Sequence, residues 1–362
     1  KRQQVPSPIT EALEQDGITV STDQSVASLK PDTDLVIATA ALPAGHPVLA
    51  KASSRGLEVI RYADALGRLQ EEGFGISIAG THGKSTTCAM CCHALLHAGL
   101  APSFIIGAEV TQLGGGSQVG AAKIPIGPMA GLPGLMVAEA CEFNRSFHAH
   151  RPKHAAILNV EEDHLDVYHN LEGVIQGFAE FARNIPDAHL GGRLLIAHDG
   201  AHRREVTRGS SARVETFGLS TEADWSLKFN VDTQEVQLRG PGSDLRWRNR
   251  MPGEHNALNA GAAAILALWA GAEPRLVQEA MAQFTGLARR TEFVGTKSLN
   301  SGEVRVWDDY GHHPTEIDRT LRALRASESP RRLVCVFQPH QHSRTRFLLD
   351  EFASSFNAAD VV

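Results

Sequence analysis

Short apolar segments alternate with segments of helical periodicity along most of the chain. In the first part, the apolar runs DLVIATAAL, from Asp34, and LEVIR, from Leu57, flank a helical stretch that follows Pro43, and a second helical segment extends over residues 63–71. Apolar runs of about four to eight residues between turn residues are typical of buried strands. Strands that alternate with helices predict a parallel sheet covered by helices, which places the chain in the α/β class.

The same alternation continues through two further segments. Apolar runs predict strands at FGISIAG, LMVAEA, HAAILNV, GRLLIAH and ARVETFG, and WSLKFNVDTQEVQLRG has the pattern of a hairpin. Helices are predicted over residues 171–184 and over GEHNALNAGAAAILALWAGA. The last segment has a strand at VRVWDDYG, a helix over residues 314–326, a strand at RRLVCVFQPH and a further strand at its end. We therefore expect three α/β units, over residues 1–73, 74–288 and 289–362.

Composition and charge narrow the class of protein. With 42% hydrophobic and 21% charged residues, the 362-residue chain has the balance of a soluble globular protein. Its net charge of -6 argues against a nucleic-acid or membrane partner held by a broad basic field. No apolar run approaches membrane-spanning length, and the first residues, KRQQVPSPIT, have neither an initiator Met nor the layout of a signal peptide. We expect a cytoplasmic protein without membrane insertion, and its oligomeric state stays open.

The five cysteines are odd in number and irregularly spaced, which argues against a secreted disulfide framework. Cys88 and Cys91 form a C-x-x-C pair, followed by Cys92 and by two nearby histidines. A zinc or redox site is one interpretation of this pair. The other is favoured: the cysteines share one predicted helix, no second ligand pair exists, and Cys is often buried as a small apolar residue.

The segment GISIAGTHGKSTT is typical of a phosphate-binding loop. An apolar strand leads into a glycine-rich turn and then a helix, which directs backbone N–H groups and a helix N-terminus at phosphate oxygens. Lys84 is expected to reach the β- and γ-phosphates of a nucleotide, and the Ser85 hydroxyl to bind Mg²⁺. The full Walker pattern has a Gly where this chain has Ile78, so the loop is a short variant. The predicted phosphate-binding residues are Gly80, Thr81, His82, Gly83, Lys84, Ser85 and Thr86.

Acidic side chains follow two predicted strands of the same unit. Glu139 and Glu142 lie at and just past LMVAEA, and NVEEDHLD, which contains His164, follows HAAILNV. Since ligands bind at the carboxyl ends of strands in open α/β sheets, we expect both patches near the phosphate loop. Carboxylate oxygens with one imidazole suit Mg²⁺ or Mn²⁺ better than zinc. A merely solvated acidic loop is the alternative.

Seven motifs occur in the order in which Mur ligases carry them, over the chain from about Asp32 onward. They are AGTHGKSTT, EACEFNRSF, NVEEDHLDVY, PGEHNALNA, GLARRTEFVG, DDYGHHPTEI and FQPHQHSRT. The chain therefore resembles the Mur ligases. DDYGHHPTEI and FQPHQHSRT are more similar to members that join L-alanine to UDP-N-acetylmuramate than to those that recycle murein tripeptide, which typically read DDFAHHPTA.

The resemblance implies a three-domain α/β architecture. A Rossmann-like first domain would bind the UDP substrate, a central ATPase domain would carry the phosphate loop, and a Rossmann-like last domain would bind the amino acid. The family's N-terminal Gly-rich loop and the latter part of its third domain are expected to be absent, so that both outer domains are incomplete.

The implied reaction has two steps. The lactyl carboxylate of UDP-N-acetylmuramate attacks the γ-phosphate of ATP, and the amine of L-alanine then displaces phosphate from the acyl phosphate. This chemistry requires no nucleophile from the protein, and the sequence has no signature of one. The resemblance also implies Mg²⁺ or Mn²⁺ as a cofactor and a location in the bacterial cytoplasm.

The resemblance assigns roles to single residues. The implied metal ligands are Ser85, Glu139 and His164. The implied nucleotide contacts outside the phosphate loop are His255, Asn256 and Asn259 at adenine, Arg290 at a phosphate and Asp309 at the ribose. The muramoyl substrate and the reacting groups would be held by Tyr310, His312 and Arg344. The implied catalytic residues are Lys84, Glu139, His164, His312 and Arg344.

Several positions have simpler interpretations or depart from the family. Asn256 is also interpretable as a helix cap, and His313, before a proline, as turn structure only. Cys141 and Phe143 replace an Asp and a Ser of the usual EADES, and Gln341 stands where the family has Arg. These departures bear on side-chain contacts near the metal and the substrate.

Three other functions remain open from the sequence. The first is another ligase of the superfamily, such as a tripeptide-recycling enzyme or a folylpolyglutamate synthase. The second is a phosphate-loop switch or transporter ATPase, against which the short loop and the Asn-rich helix argue. The third is a nucleotide-binding protein without catalytic activity.

Overall fold

The structure, a computed structural model, describes residues 8–43, 45–299 and 302–362. The chain divides into two compact units, Lys1–Ala65 and Leu66–Val362. Each unit is described by itself.

The first unit contains two parallel strands and two helices. Strand β1 (Leu35–Ala38) pairs with β2 (Glu58–Arg61), and Val36 lies opposite Val59. Helix α1 (Pro8–Gln15) precedes the strands, and α2 (Pro47–Ser54) connects them. Pro47 occupies the first helical turn of α2, where its missing N–H is not needed. The predicted strand–helix–strand pattern of this segment is confirmed.

A ten-stranded sheet is the scaffold of the second unit, in the order β12-β11-β10-β9-β8-β7-β3-β6-β4-β5. Helix α3 (Tyr62–Glu72) leads into it. The strands are β3 (Phe74–Ala79), β4 (Ser103–Ile105), β5 (Ser117–Gln118), β6 (Leu135–Glu139), β7 (His154–Ile157), β8 (Arg193–Ala197), β9 (Arg213–Gly218), β10 (Trp225–Phe229), β11 (Glu235–Gly240) and β12 (Ser243–Arg248).

Strand β3 lies inside the sheet, parallel to β6 on one side and to β7 on the other. Its register places Ile78 opposite both Glu139 and Ala156. The carboxyl ends of β3, β6 and β7 therefore meet at one edge, as the sequence predicts for the phosphate loop and the two acidic patches. The antiparallel pairing of β10 with β11 confirms the predicted hairpin.

Helices cover both faces of this sheet. They are α4 (Lys84–His97), α5 (Leu165–Tyr168), α6 (Leu171–Arg183), α7 (Arg203–Thr207), α8 (Glu254–Trp269) and α9 (Pro274–Gln283). Along β7, Ala156 belongs to a core cluster with α4 and α8, whereas Ala155 and Ile157 belong to a cluster with α6. Successive strand residues point to opposite faces, so a strand covered on both faces is apolar throughout.

The cysteines of the C-x-x-C pair lie in this core. Cys88, Cys91 and Cys92 are fully buried on α4 among apolar side chains. Burial raises the pKa of the Cys91 thiol well above its usual value, which disfavours the thiolate that a metal would bind. Among the described residues, neither group of side chains with metal-binding geometry includes a cysteine. The interpretation as buried apolar residues is confirmed.

The last part of the second unit is built around a smaller core. Strands β13 (Glu292–Leu299) and β14 (Gly302–Asp308) form an antiparallel pair. Three helices follow: α10 (Pro314–Glu328), α11 (His342–Phe347) and α12 (Leu349–Ser355). Ile317, Leu321, Leu348 and Phe352 form the buried cluster.

Two strand predictions in this part are wrong. The run RRLVCVFQPH forms no strand and makes only an isolated parallel bridge between Val334 and Val361, which is also all that forms of the strand predicted at the end. The side chains of Val334 and Val336 are exposed, at 55% and 96%. An apolar run forms a strand only where a neighbouring strand pairs with it over several residues. Here the bridge pairs a single residue, so no ladder forms.

Candidate active site

The phosphate loop joins β3 to α4 in a conformation that depends on glycine. Gly80 and Gly83 have φ of 142° and 82°, and Gly83 is the N-cap of α4. A Cβ atom at Gly83 would lie 2.4 Å from Oδ1 of Asn259. Only glycine satisfies both the left-handed backbone and this close approach. The loop thus directs the N-terminus of a fourteen-residue helix at the carboxyl edge of the sheet.

Lys84 is held against the loop that precedes it. Its Nζ donates to the carbonyl oxygens of Gly80 and Thr81, at 2.6 and 3.0 Å, and to Oε1 of Glu142 at 3.1 Å. Burial disfavours the ammonium, yet the surrounding carboxyl groups, chiefly Glu142, raise its pKa to about 12. A partly buried, permanently charged Lys at a helix N-terminus is suited to binding phosphate oxygens.

Ser85 and Glu139 are brought together at the predicted metal position. The Ser85 hydroxyl donates to Oε2 of Glu139 at 2.9 Å, and the Gly107 N–H donates to the same oxygen at 2.9 Å. A hydroxyl and a carboxylate at the end of a phosphate loop are hard oxygen ligands, the type that Mg²⁺ prefers. This pair of side chains therefore fits the implied metal.

His164 lies in a neighbouring group with Glu142 and Asp163 rather than in contact with Glu139. Its Nε2 is 3.9 Å from Oε1 of Glu142 and 3.7 Å from Oδ2 of Asp163. Its Nδ1 is buried without a hydrogen-bond partner, which is rare unless a ligand completes the site. Glu142, Asp163 and His164 have metal-binding geometry. Lys84 connects the two groups, because Glu142 contacts it directly and Ser85 follows it.

A cavity of about 360 Å³ opens beside the phosphate loop. Its size falls within the range of small-molecule sites. The predicted nucleotide-binding residues that line it are His82, Gly83, Thr86, His255, Asn256, Asn259, Arg290 and Asp309. The cavity is also lined by polar residues to which the sequence had assigned no role, because their position at the cavity depends on tertiary packing. They are Asn159 and Asp199 after strands, Thr291 before β13, and Glu316, Arg319 and Thr320 on α10.

The first turn of α8 forms one wall of the cavity. Burial lowers the pKa of His255 to about 4, so its imidazole is neutral at pH 7. Asn256 donates through Nδ2 to the Pro252 carbonyl at 2.9 Å, and Asn259 donates to Oδ1 of Asn256 at 3.3 Å. Gly253 is the N-cap of α8, so the alternative that Asn256 caps the helix is wrong.

Arg290 and Asp309 also line the cavity, and we call them the Arg290–Asp309 wall. Asp309 accepts from the backbone N–H groups of Thr291 and Gly311, each at 2.6 Å. Burial raises the pKa of Asp309 above its usual value in spite of these bonds. The Arg290 guanidinium lies 5.2 Å from the centre of the Tyr310 ring. A carboxylate and an arginine from the last part of the chain thus line the same cavity as the phosphate loop.

The next group of predicted site residues consists of Tyr310, His312 and Arg344. The Tyr310 and His312 rings are in edge contact, and burial lowers the pKa of His312. Arg344 is buried and donates to both carboxylate oxygens of Asp163, at 2.9 and 3.0 Å. Burial would raise the pKa of Asp163, but this bidentate pair keeps it below its usual value. In this conformation the predicted substrate contact Arg344 is therefore paired within the protein.

Residues that depart from the family lie around these groups. Cys141 is exposed as a whole residue, but the protein around its sulfur atom and the nearby Glu142 raise the pKa of the thiol to about 11, so it stays a thiol at neutral pH. The Phe143 ring contacts the His164 ring at 5.0 Å. Gln341 is the N-cap of α11 and borders a small cleft with Asp163, His164 and Arg344. These replacements leave the Lys84 and Glu139 contacts in place.

His313 has a structural role at the start of α10. It is the N-cap: its Nδ1 accepts from the Thr315 N–H at 3.2 Å, and Glu316 accepts in return from the His313 N–H at 3.3 Å. This reciprocal arrangement is a capping box. His313 is therefore a helix cap rather than turn structure only.

The fold and the site define the chain first as a nucleotide-binding α/β protein of the phosphate-loop type. Comparison with known proteins makes this more specific. Residues 78–267 match the Mur ligase middle domain, residues 289–362 the glutamate ligase domain of Mur ligases, and residues 2–72 the catalytic domain of the Mur ligase family. The chain belongs to the Mur ligase family.

Two relatives carry the same name. The UDP-N-acetylmuramate--L-alanine ligase of Desulfitobacterium hafniense is 38% identical over 333 residues, which are 91% of this chain and 70% of that protein. The enzyme of that name from Acetivibrio thermocellus is 34% identical over 363 residues, 98% of this chain and 73% of the relative.

Solved structures share the fold over nearly the whole chain. The UDP-N-acetylmuramate-alanine ligase of Thermotoga maritima superimposes with a TM-score of 0.72 at 25% identity, covering 97% of this chain and 76% of that one. A murein peptide ligase of Psychrobacter arcticus gives 0.74 at 26% identity, covering 98% and 76%. The three-domain α/β fold implied by the sequence motifs is thereby confirmed.

Proposed function

We propose that the chain is an ATP-dependent ligase that joins L-alanine to the lactyl carboxylate of UDP-N-acetylmuramate in peptidoglycan synthesis. The observation that carries this proposal is the similarity to two ligases of that name over 91% and 98% of the chain. The site supports it, since one cavity is bordered by the phosphate loop, by the first turn of α8 and by the Arg290–Asp309 wall.

In the proposed complex, ATP occupies this cavity. Lys84 and the loop N–H groups bind its phosphates, because the ammonium is permanently charged and lies at a helix N-terminus. Neutral His255, together with Asn256 and Asn259, provides hydrogen-bonding groups for adenine. Arg290 is proposed to contact a phosphate and Asp309 the ribose hydroxyls, and both residues line the cavity.

The residues that would hold Mg²⁺ or Mn²⁺ are Ser85, Glu139 and His164. Ser85 and Glu139 offer adjacent oxygens, and His164 has a buried nitrogen without a hydrogen-bond partner. When bound, the cation supplies neutralisation of phosphate charge. The protein's own contribution is to hold these ligands at the ends of, or in segments that follow, the neighbouring strands: Ser85 in the first turn of α4, Glu139 at the end of β6 and His164 at the start of α5.

The proposed reaction proceeds in two balanced steps. A carboxylate oxygen of the muramoyl substrate bonds to the γ-phosphorus as the bond to ADP breaks. The alanine amine then attacks the acyl carbon, loses a proton and expels inorganic phosphate. His312 is suited to receive that proton, because its lowered pKa leaves it neutral at pH 7. Tyr310 and Arg344 are proposed to hold the substrate, which requires Arg344 to leave Asp163.

We propose the domain bounds 1–73, 74–288 and 289–362 for the UDP-substrate, ATP-binding and amino-acid-binding domains. The bacterial cytoplasm, where ATP is available, is the proposed location. Within the described residues, no helix combines the length and the apolarity required to cross a membrane.

A second candidate is a murein peptide ligase, which would accept a peptide in place of L-alanine. The observation that favours it is the structural match at a TM-score of 0.74 and 26% identity, which is similar to the match with the alanine ligase of Thermotoga maritima. The two functions differ in the amine substrate alone. A substrate panel therefore separates them.

The test measures phosphate release from ATP by the protein with UDP-N-acetylmuramate and one of three amines: L-alanine, a murein tripeptide or L-glutamate. We expect release that depends on L-alanine and on the UDP-sugar together. Dependence on the tripeptide would favour the second candidate. Release that ignores both substrates would contradict a ligase function and indicate a simple ATPase.

A further inference from the structure

His82 belongs to the phosphate loop, but its side chain contacts protein carboxylates. Its backbone is fixed separately: the His82 N–H donates to Oδ1 of Asn159 at 2.7 Å, and its carbonyl accepts from Nδ2 of Asn159 at 3.1 Å. The imidazole is buried at 6% exposure. Nδ1 lies 3.3 Å from Oε1 of Glu316, and Nε2 lies 3.4 Å from Oε2 of Glu161.

Glu316 connects His82 to the turn before α10. While Oε1 faces His82 and also lies 3.6 Å from Arg290, Oε2 accepts from the His312 N–H at 3.0 Å and from the His313 N–H. One carboxylate thus contacts the phosphate loop, an arginine of the cavity wall and the backbone that carries His312.

Glu161 provides a second connection to the same helix. It follows β7 in the sheet, and its Oε2 accepts from the Thr315 hydroxyl at 2.6 Å, while Oε1 lies 3.5 Å from Arg319. The neighbouring Glu162 carbonyl lies 3.0 Å from Nε2 of His313. We call His82, Glu161, Thr315 and Glu316 the loop–helix clamp.

A protonated His82 offsets one of the two negative charges of the clamp, and Arg290 and Arg319 lie beside the same carboxylates. Burial disfavours the imidazolium, but Glu161 and Glu316 raise the pKa of His82 to about 9. The same contacts hold the pKa of Glu161 at about 2 against its own burial. At neutral pH a single buried cation therefore lies between two carboxylates, one from the sheet and one from α10.

A metal ion is a poorer explanation for this cluster, although His82, Glu161 and His313 have suitable spacing. His313 has no free nitrogen, because Nδ1 accepts from Thr315 and Nε2 contacts the Glu162 carbonyl. Both nitrogens of His82 lie within ion-pair distance of carboxylates, although Nε2 has no hydrogen-bond partner among the described residues. The arrangement is that of an ion-paired clamp.

We propose that His82 is a positioning residue that couples the phosphate loop to α10, so that the Arg290–Asp309 wall stays in place for the nucleotide. The coupling acts through Glu316, which shares Oε1 between His82 and Arg290. Loss of the clamp loosens the first turn of α10 and weakens nucleotide binding. The effect on nucleotide binding rests on the proposed ligase function, whereas the effect on the first turn of α10 does not.

The first test needs no substrate. Amide hydrogen exchange of residues 312–317 is compared between the wild-type protein and His82→Gln, which retains hydrogen bonding without the charge. The clamp predicts exchange at least about tenfold faster in this segment, or about 1.4 kcal/mol. Asp318→Asn is the matched control, since its carboxylate pairs with Arg322 on the exposed side of the same helix. Unchanged exchange in His82→Gln would overturn the proposal.

The second test is a double-mutant cycle with His82→Gln, Glu316→Gln and the combination. We expect each single variant to raise the dissociation constant of a non-hydrolysable ATP analogue about tenfold, and the double variant to bind no more weakly than the weaker single one. Strictly additive losses would overturn the coupling. A third outcome separates the clamp from the ligase function. If exchange is faster in His82→Gln than in the wild-type protein, but the wild-type protein releases no phosphate in response to L-alanine, the ligase proposal fails and the clamp is supported.

If His82→Gln does not fold, Glu161→Gln provides the alternative variant. It removes the charge that faces Nε2 but leaves an amide oxygen for Thr315. We expect exchange of residues 312–317 to be faster in this variant as well, but by a smaller factor than in His82→Gln. If neither variant changes amide hydrogen exchange in α10, the clamp is contradicted.

Discussion

The central and the last parts of the second unit are held together differently. Around β3 and β7, cohesion comes from apolar burial on both faces of a wide sheet, with side chains such as Phe178 and Phe181 fully buried. The last part has a buried cluster of four side chains. Its α10 and α11 meet the central part through charged pairs, including Arg344–Asp163 and His82–Glu316.

This difference indicates which part is able to move. Apolar packing is close and does not shift without loss of contacts. Ion pairs at a cavity respond to pH, to salt and to a charged ligand that competes for the same groups. The segment before β13 also has left-handed backbone at Arg289 and Thr291, with φ of 57° and 49°. A β-branched residue in this region is uncommon and indicates a constrained connection.

The largest effect that we expect comes from the central core. Phe178→Ala should destabilise the central part by about 3–5 kcal/mol, because it leaves a cavity between β7 and α6. Phe352→Ala, in the small cluster, should lower the stability of the last part alone. Denaturant unfolding followed by hydrogen exchange in peptides of each part is the measurement. Equal shifts of both parts by both variants would show that the two form one cooperative unit and would contradict the comparison.

Lys84→Ala tests whether the central part carries the chemistry. We expect turnover to fall by about 10²–10³, because a preorganised cation at the transferred phosphoryl group is lost. Glu142 loses its partner as well, so a melting curve must accompany the assay. Lys153→Ala, at the start of β7 and outside the cavity, is the control. A variant that retained more than about a tenth of wild-type turnover would remove Lys84 from the mechanism.

The attachment of the last part should depend on pH through His82. Its pKa of about 9 in the fold exceeds the ordinary 6.5, so its contribution is complete below pH 6.5 and is lost as pH rises through 9. The groups that face it are Glu161, Glu316 and His313. We expect the stability of α10 against exchange to decline by up to about 3 kcal/mol over this interval.

The pH dependence has a direct control. His82→Gln should show no such decline between pH 6.5 and 9 once intrinsic exchange rates are corrected. Parallel slopes in the wild-type protein and the variant would assign the pH effect to another group.

The smallest effect concerns the end of α10. Ser329 is the C-cap with φ of 43°, a conformation that favours glycine. Ser329→Gly should stabilise the last part by about 0.5–1 kcal/mol, and Ser327→Gly, within the helix, should destabilise it by a similar amount. Thermal unfolding of both variants measures this. If both variants changed the stability in the same direction, backbone strain at Ser329 would not explain the effect of Ser329→Gly.

The sequence predicted those parts of the fold that local patterns specify. Strands such as β3 and β7 are apolar throughout because both faces are covered, and glycines at positive φ mark the phosphate loop. Strand β13 was missed because most of its side chains are exposed and carry no apolar period. The RRLVCVFQPH run was mistaken for a strand because its apolar pattern does not tell whether a neighbouring strand is present.

The sequence predicted which residues belong to the site, but it did not predict which of these side chains pair with one another. No local pattern relates His82 to Glu316, which lies far along the chain, and TEI after the histidines indicates only a helix start. Likewise, the motifs implied substrate contact for Arg344, whereas its pairing with Asp163 is a tertiary contact. Such pairs depend on how the last part docks onto the sheet.

The most direct test of the central claim follows the oxygen atoms of the reaction. UDP-N-acetylmuramate with heavy oxygen in its lactyl carboxylate is incubated with ATP, L-alanine and the protein, and the released phosphate is analysed by mass spectrometry. Ligation through an acyl phosphate predicts one heavy oxygen in each phosphate released, with an equal amount of amide formed. Phosphate without heavy oxygen would mean that water attacks ATP, and it would contradict the ligase mechanism.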